Sequence, residues 1–272
     1  MDAIVAFGYR RTMNDAEALQ ELLMALRRAF VPLPDTRVIE RPGWMQLVTP
    51  SLRDGGMNEV CLAVLDPDEA DAVIDATLAE YRDLGIRFRW NVGPDSAPSD
   101  LVARLLARGL RAETTIGLAG ATAGLTTAPP AGVTVEPVDE TNVEVFTDVM
   151  ARGWDMDPTP LLAFHQRILD TARERVPMHL ARLDGRPAGT AAGAMFQRSA
   201  YLMGAVVLPE ARGRGLYRAL VAARAELAVA RGIRLLTTHA RSTTSAPILM
   251  RLGFSEVCRF TVLTEPPPPS QP

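Results

Sequence analysis

Residues 208–220, LPEARGRGLYRAL, restrict the fold more than any other stretch of the chain. The residues leading in, SAYLMGAVVL (199–208), read as a strand. From Leu216 onward, apolar residues at Leu216, Ala219, Leu220, Ala223 and Leu227 mark one face of a helix that stops at Gly232. Between strand and helix stand two glycines and three arginines. The first amides of a helix have no internal partner, and the helix dipole makes that end partly positive. Gly213 and Gly215 supply backbone angles closed to other residues, so successive N–H groups can form a nest for an anion. Arg212, Arg214 and Arg218 add charge-assisted bonds. The stretch predicts a pyrophosphate site, although RGRG alone also fits a surface turn with solvated arginines. Two common phosphate loops do not apply. No Gly-Lys-Ser/Thr is present, and the G-x-G-x-x-G fingerprint fails at Arg218.

The anion site must be local, because the whole chain of 272 residues carries a net charge of −3. That balance argues against a nucleic-acid binder working by bulk electrostatics. No run of about 20 apolar residues spans a membrane. The start, MDAIVAFGYRRTM, does not read as a signal peptide. Cys61 and Cys258 are the only cysteines and lie far apart, with no zinc spacing. They read as structural thiols in a reducing cytoplasm, and no metal site is expected.

Strands and helices alternate through the second half, with VTVEPV (133–138) the first strand. Residues 141–154 and 160–175 read as helices. Residues 178–196 read as a hairpin turning at Asp184-Gly185. IRLLTTHA (233–240) is a strand, SAPILMRL (245–252) a short helix with Ser245 as its cap, and SEVCRFTVL (255–263) the last strand. The order defines an α/β (α+β) layer fold. The first half repeats part of it. NEVCLAVLDP (58–67) matches YLMGAVVLP (201–209), and ARGLRAETTIGL matches MRLGFSEVCRFTVL. The first copy lacks the Gly/Arg turn. The seam AGATAGLTTAPPAG (119–132) separates the copies. Residues 1–122 thus form one domain, 123–132 a linker, 133–264 a second domain and 265–272 a Pro-rich tail.

Arg212-Gly213-Arg214-Gly215-Leu216-Tyr217, the preceding VVLPEA, the alternation that follows and the late LGF at 252–254 resemble the GNAT acetyltransferase superfamily. Its motif reads Gln/Arg-x-x-Gly-x-Gly/Ala after a strand ending near a proline. The resemblance covers about residues 133–263. It implies two GNAT-like mixed-sheet domains in tandem, the first a degenerate copy. It implies acetyl-CoA as cosubstrate, with its pyrophosphate on the amides from Gly213 to Arg218 and its pantetheine paired with Ala205, Val206 and Val207. The chain departs from the family at Tyr217, where a small residue is usual. It departs again at Leu249, where many members place a tyrosine as acid for the leaving thiolate, and at Ser242, where many place an asparagine near the cofactor.

Loss of that tyrosine does not end catalysis. A thiol with a pKa near 8.5 is a fair leaving group, and acid help contributes about 10²–10⁴-fold. His239 shares strand parity with Thr237 and titrates in a useful range, so His239 is a candidate base; Tyr201 is a second cleft candidate. His179 reads as a packed strand residue and His165 as a helix-surface residue. GWDMDPTP (153–160) joins the two helices that wall the acceptor site in the family. Trp154 offers an aromatic wall there, and Asp155 and Asp157 suit a cationic amine, with helix capping by Asp157 or Thr159 as the plainer account. Trp44, Trp90 and Asn91 read as core and turn residues. The function expected is an N-acetyltransferase acting on a small-molecule amine, in a monomer or homodimer. The alternatives are a protein or peptide N-acetyltransferase and a non-catalytic acyl-CoA-binding regulator.

Overall fold

The computed structural model describes residues 15–54, 56–125 and 128–266. The opening segment, Thr126 and Thr127 of the seam and most of the Pro-rich tail lie outside the described residues.

Among the described residues, eleven strands form one mixed sheet. The first half supplies β1 (Arg37–Arg41), β2 (Trp44–Val48), β3 (Glu59–Ala63), β4 (Arg89–Val92) and β5 (Arg111–Ala121). The second supplies β6 (Val133–Pro137), β7 (Met178–Leu183), β8 (Arg186–Met195), β9 (Ser199–Val207), β10 (Leu235–Arg241) and β11 (Ser255–Thr264). Their spatial order is β1-β2-β3-β4-β11-β5-β10-β9-β8-β7-β6. Each half therefore lends its last strand to the other: β11 lies between β4 and β5, and β5 between β10 and β11. The two halves thus build one continuous sheet, and this exchange is what the repeat did not signal.

The helices sort by strand parity. On one face lie α1 (Asp15–Arg28), α4 (Val143–Trp154) and α5 (Pro158–Ala172); on the other lie α2 (Ala70–Asp83), α3 (Leu101–Ala107), α6 (Leu216–Ala230) and α7 (Ser245–Arg251). Successive side chains of β9 show it. Tyr201 and Met203 pack with Ala25 of α1, while Ala200 and Leu202 join Val221 and Ala225 of α6. In the first half, Met45, Leu47 and Cys61 meet Leu26 of α1, and Val48 and Val60 meet Ile74, Leu78 and Leu101. Trp44 and Trp90 are core residues in an edge-to-face pair.

Local signals hold with small shifts. Asp184 and Gly185 both take positive φ, 50° and 79°, as the Asp-Gly hairpin turn requires. Asp157 caps α5 by accepting from the Thr159 N–H at 2.8 Å, and the helix opens at Pro158 rather than Pro160. The cap of α7 is Thr244; Ser245 Oγ instead accepts from the Arg241 N–H at 3.1 Å. Residues 119–121 of the seam belong to β5. His165 is corrected from surface to core. It is 2% exposed, its Nδ1 lies 2.8 Å from Thr147 Oγ1, and its ring meets Phe146 edge-on, because α5 turns that face onto α4.

Candidate active site

The site begins where β9 and β10 part. They are parallel and pair only at Leu235↔Ser199, Leu236↔Ala200 and Thr237↔Tyr201. Beyond that rung β10 stays with β5 over all seven residues, while β9 follows β8 away. A bulge drives the parting. The β8–β9 register shifts between Thr190/Val206 and Ala192/Met203, so Gly204 and Ala205 together face Ala191. Gly204 takes φ +62°, which glycine tolerates. The result is a V-shaped cleft with the β9 segment Ala205, Val206 and Val207 along one wall. Gly153, at the end of α4, lies directly on Val206, and a Cβ there would run into the valine. Trp154, 44% exposed, is the next and last residue of α4. Asp155, in the left-handed region at φ 55°, follows.

Past β9, a 3-10 turn (Pro209–Ala211) leads to the Gly/Arg turn. Gly213 and Gly215 have φ +77° and +84°. The first helical bond of α6 runs from the Ala219 N–H to the Gly215 carbonyl at 3.0 Å, so the amides of Leu216, Tyr217 and Arg218 precede it. Arg212, Arg214 and Arg218 are exposed. Arg212 Nε donates to the Val207 carbonyl at 3.3 Å, and Arg214 stands 3.9 Å from Asp184. A Cβ on Gly215 would stand 2.6 Å from Pro130 Cγ of the seam, so the seam packs on this turn. Tyr217 packs on the α6–α7 core, where burial raises its pKa. Ser242, half-buried, sits in the turn after β10. Leu249 is 1% exposed in the same core, so no acid stands at that position.

At the crotch of the V, Tyr201 Oη lies 3.0 Å from His239 Nδ1. Tyr201 ends the paired rungs, and His239 is two residues beyond the last rung on β10. Phe260 braces the imidazole edge-on at 4.6 Å. Burial lowers the His239 pKa to about 3 and raises that of Tyr201, so at neutral pH the imidazole is neutral and the phenol protonated. His239 Nε2 and Thr237 Oγ1 are buried without partners, on one strand and one face. Two orphaned polar atoms side by side mark a place for a polar ligand.

The first half covers this face. Glu21 of α1 accepts from Ser199 Oγ at 2.5 Å, and Ala25 packs on Tyr201. Asp54 faces the Asp157 amide at 3.4 Å, and Leu52 and Met57 pack on Phe164 of α5. Its own V, between β3 and β4, is closed. Ala97 bridges to Val64, with its N–H on the Ala63 carbonyl at 2.9 Å and its carbonyl accepting from the Leu65 N–H at 3.0 Å. The chain fills that cleft with its own backbone. The approach to α2 carries Asp66, Asp68 and Glu69, with Asp71 in its first turn, where the second half carries arginines.

The Gly/Arg turn at the start of α6 thus follows the strand that parts from β10. Residues 141–254 match the family model "Acetyltransferase (GNAT) family", and the second half of the chain carries a GNAT domain. The chain is also similar to a functionally unknown conserved protein from Staphylococcus epidermidis, at 13% identity and TM-score 0.65, over 86% of this chain and 95% of that one. A GCN5-related N-acetyltransferase from Kribbella flavida gives 19% identity and TM-score 0.64, over 93% and 96%. A tandem GNAT protein from the clavulanic acid biosynthesis pathway gives 18% identity and TM-score 0.56, over 92% and 89%. These likenesses extend the fold across both halves. No curated protein matched the chain.

Proposed function

We propose that the protein transfers an acetyl group from acetyl-CoA to a primary amine of a small molecule, by direct attack in a ternary complex. The observation that carries this reading is the split between β9 and β10 beside the amide-lined turn at the start of α6. The cofactor-binding unit is residues 133–264 together with β5. The residues fit acetyl-CoA. Amides and arginines from Arg212 to Arg218 suit its pyrophosphate, with Leu216 and Tyr217 supplying main-chain N–H groups. The strand segment Ala205, Val206 and Val207 suits the amides of its pantetheine, which would take the Val207 carbonyl from Arg212 Nε, and Ser242 follows β10. From Tyr201 to Val207, six residues of strand span about 20 Å between the crotch and the turn.

Acetyl-CoA as substrate supplies a thioester, whose carbonyl carbon bonds to the amine nitrogen as the C–S bond breaks and its electron pair leaves on sulfur. The protein's part is to place the amine and take its proton. Thr237 Oγ1 and His239 Nε2 face the same side, and Trp154 and Asp155 border the mouth. With Nδ1–H donating to Tyr201 Oη, the Nε2 lone pair accepts the proton. An imidazole with a low pKa suffices, because an ammonium that has bonded to a carbonyl carbon is far more acidic than the free amine. The thiolate leaves without an acid, since Leu249 offers none. Cover from α1, Leu52 and Met57 over this face favours a small acceptor over a polypeptide. The buried Leu249 favours one second reading, a non-catalytic acyl-CoA binder.

Calorimetric titration with acetyl-CoA tests the reading on the native chain and on Gly215→Asp. One molecule should bind per chain, because the first half fills its own cleft, and binding should vanish in the folded variant. Release of free thiol across a panel of amines then separates the enzyme from the binder.

A further inference from the structure

We infer that Arg224 is a positioning residue for acyl transfer: from beneath the sheet its guanidinium polarises the Met203–Gly204 peptide, whose N–H meets the acyl carbonyl oxygen in the cleft. This rests on the acetyl-CoA reading above.

Arg224 is 1% exposed, and no described ion pair includes it. Its Nε donates to the Leu220 carbonyl at 2.9 Å, and its Nη1 to those of Ala192 at 3.1 Å and Met203 at 3.4 Å. Nη2 is buried without a partner. Burial lowers its pKa to about 10, which leaves it charged at neutral pH. Room for it comes from small residues of β8; a Cβ on Gly193 would stand 3.8 Å from Arg224 Cδ.

None of these bonds is needed to close the backbone. The Phe196 N–H bonds the Ser199 carbonyl, and the register holds from there to Ala192↔Met203, so Ala192 and Met203 already exchange ladder bonds. The Leu220 carbonyl already serves the helix. An unpaired buried cation costs stability. What it gains is position. Met203 is the last residue before the bulge, and its carbonyl points toward β8 and Arg224. In a trans peptide the N–H points the opposite way, so the Gly204 N–H faces the open side of the V. A cation at the carbonyl end strengthens the donor at the other end. From above, Met150 of α4 meets Gly204, 3.6 Å from a Cβ built there. The bulge is thus held from both faces. Arg224 also stands nine residues along α6 from Gly215, about 14 Å, so one rigid helix sets the spacing from pyrophosphate to acyl carbonyl.

The test compares the native chain, Arg224→Met and Arg224→Lys by isotope-edited infrared spectroscopy of bound [1-13C]acetyl-CoA. The native protein should lower the thioester carbonyl frequency, Arg224→Met should return it toward the free value, and Arg224→Lys should fall between. CoA affinity should stay within about threefold and Tm should not drop. Acceptor-independent hydrolysis of acetyl-CoA should fall about 10²-fold in Arg224→Met. In the ligand-free protein the Gly204 amide proton should move upfield in the same variant. That arm needs no cofactor, so a native chain that binds no acetyl-CoA but shows the amide shift brings down the cofactor reading alone. An undiminished carbonyl shift in Arg224→Met overturns the inference, as does an unmoved Gly204 amide. So does loss of fold in Arg224→Met, or an Arg224→Lys shift equal to the native one.

Discussion

As the proposed base, the neutral imidazole of His239 sets how activity should depend on pH. Its pKa, held near 3 by burial, places its ionisation below the working range. The acid limb of kcat/KM should therefore follow the pKa of whichever amine is supplied, rising with pH, with no inflection near 6.5. His239→Gln should lower kcat about 10²–10⁴-fold and leave that limb in place. Pre-steady-state assays with amines of different pKa check both statements. All three histidines bear on stability in the same sense. His165 and His179 are also held down by burial, to about 3 and 4, with the Arg224 charge adding to the effect at His179. The unfolded chain binds protons that the folded chain refuses, so their contribution is complete above about pH 6.5 and is lost as pH falls toward their folded values. Tm should be flat above pH 7 and fall steadily from 6.5 to 4. A Tm unchanged between pH 7 and 5 would show these rings to be solvated.

A tight fit near the cleft is α4 on β9, made possible by the missing side chain at Gly153. Gly153→Ala should cost about 1–3 kcal/mol of stability and weaken acetyl-CoA binding, because α4 must lift from Val206. Thermal melts and calorimetry on one preparation separate the two effects. Much of this region was legible in the sequence. Strand, turn and helix around Gly213 and Gly215 announce themselves by apolar spacing, and shared parity put Thr237 and His239 on one face. The meeting of Tyr201 with His239 was not legible, since it depends on where β9 stops pairing with β10, and a one-residue bulge sets that point. Arg224 was hidden for another reason. An arginine on a helix reads as solvated, and only the small residues Gly189, Ala191 and Gly193 on the facing strand hint that a large side chain lies beneath them. The plug at Ala97 carries no motif at all, because it works through backbone groups.

At the scale of the whole molecule, internal similarity pointed to two copies but not to how the two halves are joined. Strand exchange involves non-local pairing that no local pattern records. A chain shortened to residues 133–266 should fail to yield a soluble monomer, because β10 and β11 would face each other across the place of a missing strand. Size-exclusion chromatography of that fragment, alone and mixed with residues 1–125, checks this; restored solubility in the mixture is the expected result. The exchange also orders events during synthesis. β5 leaves the ribosome well before either strand that will flank it, so an eleven-residue ribbon with both edges open must wait for the second half to emerge. Slow translation through the second half should therefore raise the aggregated fraction, and holdase chaperones should act before residue 255 is made rather than after.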